Sequence, residues 1–419
     1  MTSINAQMHQ SASMVLRHHP QLAMSRLWST LTAAAHRITF LPGAFMTVLG
    51  MLWWMLDMES RRAGGPGMAP AALPGPVLHA WLMLYGLFPF FIFGFLFTAM
   101  PNWLNGGKIS LPAYSATGLL MAAGAGLTFF LPAPGLALHL AGWAVGLAAL
   151  LKTLAGAKPQ DKRHSWIAWG GLALGWLGNA LLLAWLLGDV PDLLAWAEAL
   201  AVWGCLVPIF LAVCHRMVPW FTSRVVANYV LIRPYGPLYA MLAAGLAHGV
   251  LDASGLAHFT WLADLPLAGI AFWFITRWGI ARSFGVRLLA MLHIAFVWAG
   301  VSFLLFAADS LARFMGLDWT AGLAPLHALG IGFFSTMLVG MASRVTLGHS
   351  GRPLEADGTT WRLFWLVQGI AVIRMLPDLL PLPGFLVSLA GLLWLLAFGL
   401  WAWKYAPFYW RPRADGKPG

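Results

Sequence analysis

Long apolar runs alternate with short polar or Gly/Pro-rich breaks along this chain, and that pattern sets its class. The runs fall at roughly 38–57, 77–101, 112–132, 134–151, 166–188, 192–214, 236–254, 259–276, 285–308, 322–347, 361–380 and 383–404. Most are close to the ~20 residues that an α-helix needs to cross bilayer hydrocarbon. Gly-Pro, Pro-Leu-Pro and charged clusters separate them, as expected where helices end. The pattern predicts an all-α polytopic membrane protein, a bundle of about 12 transmembrane helices. Residues 37–406 are expected to form the membrane domain, with an N-terminal tail over 1–36 and a C-terminal tail over 407–419.

Composition agrees with the pattern. Hydrophobic residues make up 60% and charged residues 9%, with a mean hydropathy of +0.75, whereas a soluble domain carries about 25% charged residues. No room remains for a sizeable soluble domain. The first apolar run is too long for a signal-peptide core and lacks a small-residue cleavage site, so the first helix is expected to stay. Cys205 and Cys214 are the two cysteines and suggest no disulfide framework. Ser-Arg-Val recurs at Ser223–Val225 and Ser343–Val345, too short a match to mark a duplication.

The net charge of +11 would suggest nucleic acid in a soluble protein. Here its distribution gives a different reading. With twelve spans, the outward connections hold only Arg61, Arg62, Arg313 and Arg374 of the 25 Lys and Arg. The positive-inside rule then places both termini in the cytoplasm. The bilayer is the expected partner, and no nucleic acid is.

Topology gives each histidine a depth. His79 opens span 2 and His327 opens span 10, both at the outer face, with His248 in the outer half of span 7. His139 and His258 lie near outer helix ends. His215 ends span 6 and His349 follows span 10 at the inner face, and His293 lies somewhat inward of the midplane in span 9. His9, His18, His19, His36 and His164 fall in tails or loops and are set aside. Lipid penalises polar side chains, so imidazoles at such depths need partners, and a metal or haem is one class of partner. The stretch from His327 to His349 is one apolar helix with an imidazole at each end, 22 residues and roughly 33 Å apart.

Two groups follow: an outer one of His79, His327 and His248, and an inner one of His215, His293 and His349. Bis-histidine haem b needs two neutral imidazoles from facing helices with aromatics against the porphyrin. The Phe-rich segment 77–103 suits this, and its Gly86 and Gly94 would admit a flat ligand or a neighbouring helix. Near the inner group, Arg216, Arg224, Arg344 and Arg352 are candidates for haem propionates, a quinone oxygen or an anion. The competing explanation for these arginines is topogenic charge. Cys214 and Met83 are soft donors that packing explains equally well. The chain has no CxxCH, no Walker loop, no GxGxxG at a strand–helix turn and no HExxH. Its acidic residues lie almost all in loops or at helix ends, which disfavours a carboxylate-driven ion pump.

Several motifs resemble the NnrS family, haem- and copper-containing membrane proteins linked to denitrification and nitric oxide stress. They are His79–Gly86 with Gly94–Trp103, His215–Thr222, His293–Trp298, and His327 through Leu354. The resemblance covers nearly the whole chain. One departure is that many relatives carry a histidine and a glutamate where this chain has Trp81 and Leu82, so copper transfers less securely than haem. More distantly, the twelve-span plan resembles the catalytic subunit of haem–copper oxidases, where helices 2 and 10 supply the low-spin haem's histidines. The paired histidines of that family's binuclear centre are missing, so dioxygen reduction is not implied.

The resemblance implies haem b held by His79 and His327, in a multi-pass protein of a bacterial inner membrane. A second site at or near His215, His293 and His349 would take copper, another haem or a quinone. The activity implied is one-electron redox on nitric oxide or a related small molecule, with a quinol or another respiratory donor as electron source. Two other readings remain open on sequence: a twelve-span transporter of a metal or small solute, and a non-catalytic sensor or assembly factor.

Overall fold

A computed structural model describes residues 20–70, 72–158, 161–188 and 190–417, and its regular structure is entirely helical among them. His9, His18 and His19 lie outside the described residues. The long helices, in chain order, are α1 (Ala35–Arg62), α2 (Gly75–Trp103), α3 (Leu111–Thr128), α4 (Pro132–Gly156), α5 (Arg163–Gly188), α6 (Asp192–Val225), α7 (Tyr235–Ala253), α8 (Trp261–Arg277), α9 (Arg287–Phe314), α10 (Ala324–His349), α11 (Gly358–Leu379) and α12 (Phe385–Tyr405). Eight of these, α1, α2, α4, α5, α6, α9, α10 and α12, are long and apolar enough to cross a membrane. The other four coincide with apolar runs but are shorter or less apolar. Helix α8 has 17 residues, and α11 carries Arg362, Arg374 and Asp378.

Two boundaries differ from the sequence expectation. Ala35 opens α1, so His36 and Arg37 belong to a buried helix and not to a tail. His164 lies in the first turn of α5 and is buried. In both helices the apolar run begins only after the polar residues that form the first turn.

The centre of the bundle is α2, α6 and α10. Their apolar windows are 72%, 83% and 72% buried, against 33% for each of α5 and α12, which face outward. Lipid gives no hydrophobic drive for helices to associate, so close approach through small residues matters. A Cβ on Gly142 of α4 would lie 2.7 Å from the Met121 amide nitrogen of α3, and one on Gly94 would lie 2.7 Å from Phe40 of α1. Gly94 therefore admits a neighbouring helix, not a flat ligand.

Two buried carboxylates fold the connections that lead into α2 and α10. Asp57, near the end of α1, accepts from the Met68 and Ala69 amides at 2.7 and 3.1 Å and from Arg61 Nε at 2.9 Å. Asp309, near the end of α9, accepts from the Ala321 amide at 2.7 Å and the Thr320 hydroxyl at 2.8 Å, and pairs with Arg313. In both, a carboxylate with an arginine four residues on gathers the amides of the next loop. Asp57 is 0% and Asp309 6% exposed, so their charge is compensated by these donors.

Asp57→Ala and Asp309→Ala should each destabilise the detergent-solubilised protein by about 2–3 kcal/mol, the scale of hydrogen bonds to a charged group plus loop amides left unpaired. Thermal unfolding checks this against Glu59→Ala, an exposed neighbour that should change little. Equal shifts in all three would show that the carboxylates do not hold the loops.

Candidate functional site

His79 lies one turn into α2, and its ring stacks on Trp54 of α1 at 4.2 Å and 14°. Its Nδ1 is buried without a hydrogen-bond partner. The Arg61 guanidinium sits 5.3 Å over the Trp54 ring. The loop staple Asp57–Arg61 thus continues through Trp54 to His79.

His327 closes the first turn of α10, and its Nδ1 lies 2.9 Å from the Leu323 carbonyl oxygen. With Nδ1–H donating there, Nε2 carries the free lone pair, the arrangement that presents imidazole as a ligand. Immediately after His327 the helix widens into a π segment, Ala328–Ser335. A second π segment, Leu200–Leu206, lies in α6. Such segments are rare and often occur at functional sites.

His79 and His327 are close enough to interact electrostatically with each other and with Arg374 of α11. Arg374 also pairs with Asp378 at 2.7 Å. All three side chains that converge here are only half-buried, although they lie among helices. Sequence reading missed Arg374, because an arginine near a helix end looks like topogenic charge.

The other candidates do not join this group. His248 is buried, with Nδ1 2.6 Å from Asp264 Oδ1, and it stacks on Trp203 of the α6 π segment at 3.6 Å. Nor do His215, His293 and His349 form one cluster. His215 bonds His164 at 2.9 Å through Nδ1 and the Pro234 carbonyl at 2.9 Å through Nε2. His293 bonds the Thr222 hydroxyl at 3.0 Å. The His349 ring lies 4.6 Å from that of His36. Among the described residues no group of three or more His, Cys, Asp or Glu is placed to hold a metal ion. Histidines grouped by their expected depth face different neighbours in the bundle.

The arginines expected to hold a cofactor sit elsewhere. Arg216 lies over Trp103 at 4.6 Å, Arg344 over Phe221 at 3.9 Å and Arg352 over Phe408 at 3.8 Å. Arg344 is 17 residues from His327 on one helix, roughly 26 Å away, so it cannot serve a group held at His327. Trp81 is buried, and its indole donates to Asn179 Oδ1 at 2.8 Å, while the Asn179 amide nitrogen lies 3.1 Å from His139 Nδ1. Trp81 is thus a packed indole tying α2 to α5 and α4. Met83 packs against Gly50 of α1. Cys205 and Cys214 are free and buried.

An apolar cavity of about 70 Å³ lies between α1, α2, α6 and α10. Phe40, Phe91, Phe210, Cys214, Met337 and Met341 are among its walls. It is large enough for one or two small molecules and has almost no polar surface to hold water.

At the His349 end of the bundle, Tyr235 and Arg163 both bond Asp161, in the connection before α5. Desolvation raises the Asp161 carboxyl, but the hydrogen bonds from Arg163 and Tyr235 outweigh it and hold the group well below the usual carboxylate range.

The family model described as NnrS protein matches residues 30–413 of the chain. No curated protein matches it.

The lowered Asp161 carboxyl sets a pH dependence. A depressed folded-state value stabilises above the unfolded value near 4 and loses that effect as pH falls further. Because the pair is partly exposed, the contribution should stay under about 1 kcal/mol. Asp161→Asn should lower thermal stability slightly at pH 7, and the gap from the unaltered protein should close progressively below about pH 4.

Proposed function

The chain belongs to the NnrS family, and on that premise we propose that it is a haem b-binding membrane protein of nitric oxide metabolism or nitrosative-stress defence. We place it in a bacterial inner membrane, multi-pass, with both termini cytoplasmic. The observation that carries the haem reading is the pair of uncommitted ring nitrogens, His79 Nδ1 buried without a partner and His327 Nε2 left over by the bond to Leu323.

These residues fit the group. His79 Nδ1 is a buried polar atom with no partner. His327 has one nitrogen committed to Leu323 and the other left over. Arg374 offers the charge-assisted hydrogen bonds that a propionate carboxylate needs. Haem b, when bound, supplies one-electron redox chemistry.

The chain's own residues do the rest. The Leu323 carbonyl fixes the tautomer and orientation of His327, and Trp54 holds the His79 ring by stacking. Asp57 and Asp309 set where α2 and α10 begin, and so where both rings stand. Arg374, tied to Asp378, brings a counter-charge to one side of the pair. Nitric oxide is small and apolar, and the cavity between α1, α2, α6 and α10 matches such a solute in size and lining. On this reading the activity is that of an oxidoreductase drawing electrons from a quinol or another respiratory donor.

Purified protein should show a Soret band that sharpens and shifts on reduction. His79→Ala and His327→Ala should each abolish or shift the same band. Arg374→Gln should lower haem occupancy roughly ten-fold, the scale of one charge-assisted contact. His349→Ala should leave the band intact. A colourless protein with no iron would remove the haem reading and leave the transporter. Loss of the band in His349→Ala alone would move the haem to the other end of the bundle.

A further inference from the structure

We propose that Arg163, Arg216 and Arg233, at the His349 end of the bundle, form a headgroup site for one anionic phospholipid, whose acyl chain runs down the exposed face of α7. The three come from different elements: the start of α5, the end of α6 and the connection before α7. Each stands next in sequence to a member of one hydrogen-bonded network. His164 bonds His215 at 2.9 Å, His215 bonds the Pro234 carbonyl at 2.9 Å, and the Tyr235 hydroxyl lies 3.2 Å from His164 Nδ1. The Arg163 guanidinium also rests 3.5 Å over the Tyr235 ring. A buried scaffold therefore gathers three arginine-bearing segments at one place.

The scaffold does not balance the charge it gathers. Imidazole rings, a tyrosine and a carbonyl supply no anion. The one carboxylate in the network, Asp161, is bonded by Arg163 and by the Tyr235 hydroxyl. The ion pairs among the described residues leave Arg216 and Arg233 without a carboxylate. Both are half-buried, and Arg216 lies 4.6 Å over Trp103 at the end of α2, where an indole suits the membrane interface.

Topogenic charge asks only that arginines stand on one side of the membrane. It does not ask that they be held together, where like charges repel. A counter-charge from outside the chain relieves that repulsion. At the end of a membrane bundle the phosphate of a lipid is the anion at hand, and basic pockets between helices take such headgroups. Guanidinium groups bind phosphate oxygens through paired, charge-assisted hydrogen bonds.

The apolar half of the site begins directly below. The Tyr239 ring stacks on Tyr235 at 5.9 Å. Tyr239, Leu246 and Val250 are 44%, 42% and 51% exposed, and their spacing puts them on one face of α7. Ala243 and Ala247, also exposed, lie between them, so the face is a shallow groove edged by larger side chains. From Tyr239 to Val250 it runs roughly 17 Å, about the depth of one leaflet's hydrocarbon. A free phosphate would use the arginines alone, whereas a phospholipid uses both parts. The site involves neither His79 nor His327 and does not depend on the haem reading.

Native mass spectrometry of the full-length, delipidated protein tests this with phosphatidylglycerol and phosphatidylcholine of identical acyl chains. The unaltered protein should retain one phosphatidylglycerol roughly twenty-fold more tightly than phosphatidylcholine, the product of two arginine contacts. Arg216→Gln and Arg233→Gln should each weaken that binding about five-fold, the scale of one basic residue at an anionic surface, and the double variant should lose the preference. Arg362→Gln removes a charge from the same end of the bundle, at the start of α11, and should leave the preference intact. Excess inorganic phosphate should not displace the lipid. Equal retention of the two lipids by the unaltered protein would overturn the site, as would an equal loss in Arg362→Gln. Displacement by inorganic phosphate would make it a free-anion site and overturn the lipid. The Soret band recorded on the same samples separates failure here from failure of the haem reading.

Discussion

An imidazole enclosed by helices and lipid must find partners for its ring nitrogens, and this constraint organises the structure. Water is not available to satisfy them, so a nitrogen left alone is a standing cost. Four histidines meet the constraint within the protein: His164 and His215 with each other, His248 with Asp264, and His293 with Thr222. His139 accepts from Asn179, and its other nitrogen is unpartnered but surrounded by the rings of Trp81, Phe90 and Trp143, where an N–H can meet an aromatic face. His79 and His36 differ. Each keeps a buried nitrogen with no partner and has another histidine close by. Satisfaction, not depth, separates structural histidines from ligand candidates here.

That criterion explains what the sequence could and could not supply. Membrane class and helical fold follow from apolar runs about 20 residues long, and the family motifs point the same way. Azimuth does not follow, because it depends on which helices become neighbours. His215, His293 and His349, grouped together on sequence, look into three different interfaces. Arg216, Arg344 and Arg352 carry the right charge but rest on aromatic rings. Arg374 carries the same charge and pairs with Asp378, within electrostatic reach of His79 and His327. His36 was hidden for a local reason: the first turn of α1 reads His-Arg, which looks like the polar edge of a tail until the C-terminal carbonyls that receive Arg37 are seen.

The connections outside the bundle matter as much as the helices. A histidine one turn into a helix is only as well placed as that helix's start. Asp57 and Asp309 fix those starts with loop amides and an arginine each. On the α1 side the fixation passes through Arg61 and Trp54 directly to the His79 ring. On the α10 side, the Leu323 carbonyl holds the His327 ring just before the helix widens. Rigid supports of this kind let a ligand pair be preorganised without a metal already present.

Helix α10 carries a candidate ligand at each end, and its length then limits the chemistry. His327 and His349 are 22 residues apart, roughly 33 Å of helix, so no single group reaches both. Between them the same helix contributes Met337, Leu338, Met341, Ala342 and Val345 to an apolar cavity. The cavity lies in the half of α10 that leads to His349. The bundle therefore carries His79 and His327 near one end, the paired rings of His36 and His349 near the other, and an apolar cavity beside α10 between them. Chemistry at one end would reach the other through α10 and its neighbours, not through a shared ligand.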